Sequence, residues 1–262
     1  MTKPKSDYSI QTVSNALRLL EAFREEDEIG VSELARRLDL HKNNVFRLLA
    51  TLEERGYIEQ SPESDRYRLG TRCLELGRAF SHGHSLLDRA RPILEALAAS
   101  QNETVHLGVL RDFEVVHLDG EQPRQLVLTA SRIGERLPVH CTALGKVLLG
   151  CAVESVREGF DRDWVSTQGL EQRTNATICD RHKFFEHLRS VAVQGFALDL
   201  EECEIGLRCA AMPVFDATGQ ALAALSVSGP GFRLGEERLL GDVVPALGAA
   251  AERLSRELGY SV

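Results

Sequence analysis

The chain lacks the surplus of positive charge that a nonspecific polyanion binder needs. Lysine and arginine number 31 against 39 aspartates and glutamates, a net charge of −8 at pH 7. That excludes charge-driven nucleic-acid binding as the main activity. No apolar run is long enough to span a bilayer, and the opening MTKPKSDYS carries no signal-sequence hydrophobic region. A cytosolic protein with no membrane partner is the expectation. Cys73, Cys141, Cys151, Cys179, Cys203 and Cys209 form no C-x-x-C pair, so reduced thiols are expected. The pairs His82/His84 and His182/His187 have no cysteines at finger spacing, so they read as surface residues rather than zinc ligands. Nucleophile-elbow, phosphate-loop and metal motifs are absent, and no cofactor is expected. Internal repeats and low-complexity tracts are absent too. What remains is 262 residues, 43% hydrophobic and 27% charged, which is a globular composition with room for two ordinary domains.

Residues 31–70, VSELARRLDLHKNNVFRLLATLEERGYIEQSPESDRYRLG, carry the strongest pattern. Ser32 reads as a helix N-cap, with Leu34, Ala35 and Leu38 on one face. Asp39-Leu40-His41 makes a turn. The next helix carries Val45, Leu48, Leu49 and Leu52 at i, i+3, i+4, i+7 spacing and ends at Gly56. Tyr57–Gln60 and Arg66–Leu69 read as two strands around a Ser61–Asp65 turn. This is a helix-turn-helix with a wing. The polar start of its second helix, His41, Lys42, Asn43, Asn44, Phe46 and Arg47, suits base-edge and phosphate contacts in a major groove. Ser32, Arg36 and the wing residue Arg66 complete the candidate DNA-binding set. Two amphipathic helices and a hairpin also occur in ordinary domains, but the short turn, polar helix start and basic wing together favour DNA. Residues 1–70 still hold 11 Lys and Arg against 13 Asp and Glu. Binding to double-stranded operator DNA should therefore be local, sequence-directed and dimeric.

A helix with Ile10, Val13, Leu17 and Leu20 on one stripe precedes this motif. After it, Thr71 to about His84 reads as a linker helix broken by Ser81–His84, and Leu86–Ser100 as a second helix. The division expected is a DNA-binding domain over 1–70, a linker helix over 71–87 and a sensor domain over 88–262. In the last, Thr104–Leu110, Val115–Leu118, Leu126–Ala130, Phe196–Leu200, Cys209–Phe215 and Ala221–Ser228 read as strands. Thr142–Gly150, 181–193 and 236–258 read as helices, with a turn at Leu137-Pro138. The closing helix places Leu239, Leu240, Val243, Leu247, Ala251 and Leu254 inward. The mixture implies an α+β fold with an antiparallel-rich sheet.

Three long motifs, GERLPVHCTALGKVLLG (134–150), DLEECEIGLRCAAMPVFD (199–216) and AALSVSGPGFR (223–233), add to RLLATLEERGYIE. In this order and at these separations, the chain resembles the IclR family of bacterial transcription regulators. The resemblance implies a winged helix, a linker helix and a GAF-like effector-binding domain. It also implies a homodimer or dimer of dimers that answers to a small metabolite, often a carboxylic acid. Asn43-Asn44 stand where many members have Ser or Thr, so the operator sequence does not carry over.

Matching positions imply an effector pocket from Thr142, Ala143, Leu144, Asp199, Cys209, Ser226 and Ser228. Physical reading agrees in part. Ser226 and Ser228 share a strand face by period two, and a helix start offers free amides to an anion. Leu107, Leu137 and Met212 are candidate apolar walls. Glu201 and Glu202 read as solvated or bonded to the adjacent loop. The bland alternatives are a core cysteine at 209, backbone-bonded serines and a turn-capping Asp199. A rival reading makes Cys209, with His140 and Asp199, a thiol enzyme, or Cys209 a redox switch.

Overall fold

The structure, a computed structural model, describes residues 9–24, 26–82, 85–125 and 129–261. It divides into two compact units, Met1–Gly83 and His84–Val262.

In the first unit, α1 (Gln11–Glu21), α2 (Val31–Leu38) and α3 (Lys42–Glu54) precede a hairpin of β1 (Ile58–Gln60) and β2 (Tyr67–Leu69). Leu19, Phe23, Leu34, Leu38, Val45, Leu49, Ile58 and Tyr67 fill its core. The α3 stripe therefore packs as its spacing predicts. Two local expectations are corrected. Gly30, not Ser32, is the N-cap of α2, and Ser32 lies exposed in its first turn. The cause is upstream: Ile29 pairs with Tyr67 of the wing, so extended backbone ends at Gly30 and helix bonding starts there. The α1 stripe is the second. Leu19 is the inward residue, while Ile10, Val13 and Leu17 are 66%, 52% and 55% exposed. Gly56 follows α3 with φ +74, the left-handed turn a glycine allows at no steric cost. After the wing, α4 (Thr71–His82) continues through Ser81 and His82 and is not broken at Ser81. Its Leu74 and Leu76 are exposed.

The second unit starts with α5 (Ser85–Gln101), then β3 (Thr104–Arg111) and β4 (Glu114–Glu121). The tight turn between the strands uses Asp112 and Phe113, both at positive φ. The expected strand at Leu126–Ala130 falls largely outside the described residues; Thr129 and Ala130 are not in a strand. Leu137-Pro138, expected as a turn, belongs to β5 (Arg136–Pro138), which pairs with β4. Next come α6 (Ala143–Gly150), α7 (Glu154–Gly159), a π-helical segment (Phe160–Val165), α8 (Ser166–Gln168) and α9 (Arg181–Gln194). The stretch from α7 to α8 has no counterpart in the sequence reading. β6 (Ala197–Leu200), β7 (Leu207–Phe215) and β8 (Ala221–Pro230) lead to the closing helix. That helix runs as α10 (Glu236–Arg238), a π-helical turn (Leu239–Val243) and α11 (Val244–Glu257). The extra residue of the π turn leaves Leu240 exposed, against expectation, while Leu239 and Val243 stay buried.

The strands form one antiparallel sheet in the order β5-β4-β3-β8-β7-β6. Alternation sends Val105, Leu107, Val109, Leu225 and Val227 to one face, where α5 and α11 cover them. Met212 joins them there, against Gly248 of α11. Leu107 and Met212 therefore face away from the cavity described below. The opposite face is covered by α6, and α9 packs against α6 in turn.

Candidate functional site

The first candidate face is the N-terminal end of α3. His41, Lys42, Asn43, Asn44, Phe46 and Arg47 are all exposed, and Phe46 is 58% so. The same helix turns Val45 and Leu49 into the core, so the packing of that face sets which side chains the other face presents. Arg36 on α2 is exposed as well. Among the described residues, Arg36, Lys42 and Arg47 have no ion-pair partner. Arg66 differs: its guanidinium donates to the Glu28 carbonyl at 2.6 and 3.2 Å and lies 3.5 Å from Glu33. Arg68 pairs with Glu59. The wing arginines are thus tied to the domain, whereas the α3 cations are open.

The second candidate is a cavity between the sheet and the start of α6. Register aligns Asp199, Cys209, Ser228 and Thr104 in one row across β6, β7, β8 and β3. Ser226 and His106 stand opposite each other in the next row. The β3–β4 register slips between Leu107 and Gly108, so that His117 opposes Gly108 and Asp119 opposes Leu107. A bulge of this kind re-aims side chains. His117 joins the cavity, while Asp119 pairs with Arg91 of α5 on the other face. The cavity is lined by all seven sequence-predicted positions, Thr142, Ala143, Leu144, Asp199, Cys209, Ser226 and Ser228. Leu137 lines it too, as expected, together with His106, His117, Arg132, Cys203 and Leu207, which were not singled out. The volume is about 30 Å³, room for a water or two, so an organic ligand must part its walls.

Thr142 caps α6. Its Oγ1 accepts from the Gly145 amide at 3.2 Å and donates to the Pro138 carbonyl at 2.8 Å. That hydroxyl is committed to the fold, and the Ala143 and Leu144 amides are the donors left at this helix start. Gly145 is required because a Cβ there would come 2.4 Å from the Val139 carbonyl.

Asp199 is 1% exposed and accepts from the Glu202 and Cys203 amides at 2.8 and 3.4 Å. It caps that turn and lines the cavity at once. Burial pushes its carboxyl up to about 7, against the pull of nearby Lys146. Lys146 is fully buried and pairs with Glu202. Glu202, expected to be solvated or bonded to the adjacent loop, is 7% exposed and bonds to Lys146 of α6 instead, because the turn that Asp199 caps folds it inward. His187, also read as a surface residue, has a buried Nε2 with no hydrogen-bond partner among the described residues, and burial and Lys146 push its pKa down to about 4. Arg132 pairs with Glu135 at 3.2 Å and Glu204 at 3.0 Å.

The thiol-enzyme geometry is not assembled. His140 does not line the cavity; its Nε2 is 2.8 Å from the Glu171 carbonyl. Cys209 is buried, and burial raises its thiol well above the usual range, so the nucleophilic thiolate is disfavoured.

A winged helix in one unit and a cavity-bearing antiparallel α+β domain in the other define a DNA-binding regulator with an effector-binding domain. Residues 12–62 match the IclR helix-turn-helix domain, and residues 79–256 match the bacterial transcriptional regulator IclR C-terminal domain. The HTH-type transcriptional regulator KdgR of Escherichia coli (strain K12) is 36% identical over 260 residues, covering 98% of this chain and 95% of that protein. An IclR transcriptional regulator from Alicyclobacillus acidocaldarius superposes with a TM-score of 0.84 at 27% identity, over 95% of this chain and 99% of that one. An IclR homolog from Microbacterium hydrocarbonoxydans, crystallised with 4-hydroxybenzoate, gives 0.80 at 26% identity, over 95% and 100%. The chain belongs to the IclR family of bacterial transcription regulators.

Proposed function

We propose that this regulator reads its operator with the N-terminal end of α3 and senses a small carboxylic acid in the cavity between α6 and the sheet. The observation that carries the sensing half is convergence. Asp199, Cys209, Ser226 and Ser228 come from three strands and meet the first amides of α6 in one cavity with Arg132. The hydroxyls orient a small polar molecule, and the first amides of α6 favour an anion. A carboxyl at Asp199 held near neutrality can donate to a ligand oxygen rather than repel it. The relative crystallised with 4-hydroxybenzoate supports an acid as the ligand class.

The DNA half rests on the open cations and amides of α3, with Arg47 and Lys42 foremost. Such side chains read base edges bidentately or fix phosphates. Arg66 plays a supporting part through the wing fold. No helix among the described residues is long and apolar enough to cross a membrane, in keeping with work in the cytoplasm.

We further propose that the protein works as a homodimer or dimer of dimers. α5 buries its apolar face in its own unit, which leaves α1 and α4 with exposed Val13, Leu17, Leu74 and Leu76 for a second copy. The test begins with selection of binding sites from a random DNA pool by the full chain. An enriched two-half-site sequence, bound more weakly by Arg47→Ala, supports the reading; no enrichment contradicts it. If Arg47 reads a base, the loss is about 1–3 kcal/mol at one base position. A loss spread evenly over variants, with a shallower salt slope, assigns it to phosphate.

A further inference from the structure

An aromatic ring stands on the face of α3 that carries the open polar side chains, where base-edge hydrogen bonds and phosphate contacts have no use for it. Val45 and Leu49 are wholly buried, so α3 presents its other side to solvent. That side carries Asn43, Phe46, Arg47 and Ala50, all exposed, at i, i+3, i+4 and i+7. Positions at this spacing are the ones a recognition helix lays against base edges in a major groove. Glu53 and Glu54 end the helix, exposed. Their charge repels phosphates, which confines any DNA contact to the first turns.

Phe46 is 58% exposed and takes no part in the core of its unit. One exposed apolar side chain is ordinary on a protein surface and by itself asks for no partner. Its neighbours give this one meaning. The unpaired cation of Arg47 is next in the chain, Asn43 stands one turn before, and the small side chain of Ala50 one turn after. Phe46 also lines an open groove of about 450 Å³ with Thr12 and Asn15 of α1, so the ring is accessible from that side too. Its Cα–Cβ bond tilts toward the helix N-terminus, as throughout an α-helix, which is the end that enters the groove. A phenyl ring makes no hydrogen bond to a base edge and is not attracted by a phosphate. The methyl group that B-DNA shows in its major groove is the 5-methyl of thymine, and a phenylalanine side chain can pack on it.

We infer that Phe46 reads thymine through its 5-methyl group, as a specificity-determining residue of the operator contact. This rests on α3 being the reading helix. The methyl leaves water and packs on the ring, while Ala50 is short enough to let the helix approach. Burying one such group is worth roughly three- to fivefold in affinity.

The test uses the full chain on the sequence selected from the random pool. Each thymine is replaced in turn by deoxyuridine, which pairs as thymine does and lacks only the methyl, and binding is followed by fluorescence anisotropy. One or two positions per half-site should lose roughly three- to fivefold. Phe46→Ala should bind thymine and deoxyuridine equally at those positions, with an unchanged salt slope because no phosphate contact is lost. Phe46→Leu, still apolar, should keep part of the discrimination. The scan on native protein stands whether or not a variant folds. A selected half-site with no fixed thymine, equal binding of thymine and deoxyuridine at every position, or discrimination that survives Phe46→Ala overturns the inference. Survival with a shift toward monomer in sedimentation assigns the ring to a contact between copies instead. The α3 reading fails separately, if Arg47→Ala binds the selected sequence as tightly as native protein does.

Discussion

Asp199 shows how one buried side chain carries two duties. It caps the turn that folds Glu202 inward, and it lines the cavity. Its folded-state pKa of about 7 lies above the ordinary value of 3.8. The folded protein therefore holds a proton that the unfolded chain releases between about pH 4 and 7. Its contribution to stability is full below that window and lost as pH rises through it, at no more than about 1.4 kcal/mol per pH unit. His106 and His117, depressed to about 3 and 4, act in the opposite sense: their contribution is full above 6.5 and lost on acidification toward those values. Asp199→Asn keeps an oxygen to accept from the Glu202 amide and removes only the first effect. Urea unfolding at pH 4.5 and 7.5 should show the variant gaining on the native protein at the higher pH by about 1 kcal/mol or more. Parallel pH dependence in the two proteins would contradict a raised carboxyl.

At the scale of elements, α6 organises the sensing unit, with Thr142 at its cap and Lys146 one turn further on. Lys146 and Glu202 form a pair that is almost wholly enclosed. Removing one partner leaves an unmatched charge, so Lys146→Met should lower stability by about 3–5 kcal/mol. Lys146→Met/Glu202→Leu should recover much of that in denaturant titration. A near-neutral single variant would mean that the pair is open to water. Such a partnership between residues 56 apart along the chain was not legible in the sequence. A lone lysine in TALGKVLLG was the only hint. Regular elements were legible wherever an apolar period met a clear stop, as for α3, α5 and β6 to β8. The family motifs supplied the seven positions that line the cavity. His106 and His117 were missed although Thr104, His106 and Gly108 alternate with Val105, Leu107 and Val109. That pattern marks a polar strand face, but the bulge that turns His117 onto it leaves no sequence signature. Leu107 and Met212 are a different case: alternation with His106 and with Cys209 and Ala211 already puts both on the face away from the cavity. The segment from α7 to α8 lacks a steady period, and its π-helical turn breaks the 3.6-residue rule.

For the molecule as a whole, a net charge of −8 makes a single winged helix a weak DNA ligand. Two copies on paired half-sites convert the second contact into an intramolecular one. Val13→Glu/Leu17→Glu places charges on the exposed face of α1 without touching the core around Leu19. Sedimentation should show this variant shifted toward monomer, with operator affinity reduced tenfold or more. An unshifted dimer would move the contact elsewhere. Control by a metabolite needs one further condition. The acid must bind two arrangements of the protein unequally, because equal affinity shifts nothing. The measurement that tests this most directly is a gel shift on the selected operator, with and without an acid that binds, for native protein and Ser226→Ala/Ser228→Ala. Two lost hydrogen bonds of about 0.5–1.5 kcal/mol each correspond to roughly tenfold in effector affinity. The account predicts unchanged DNA binding by the double variant without acid and a response displaced to roughly tenfold higher acid concentration. A normal response, or loss of DNA binding before any acid is added, would contradict it.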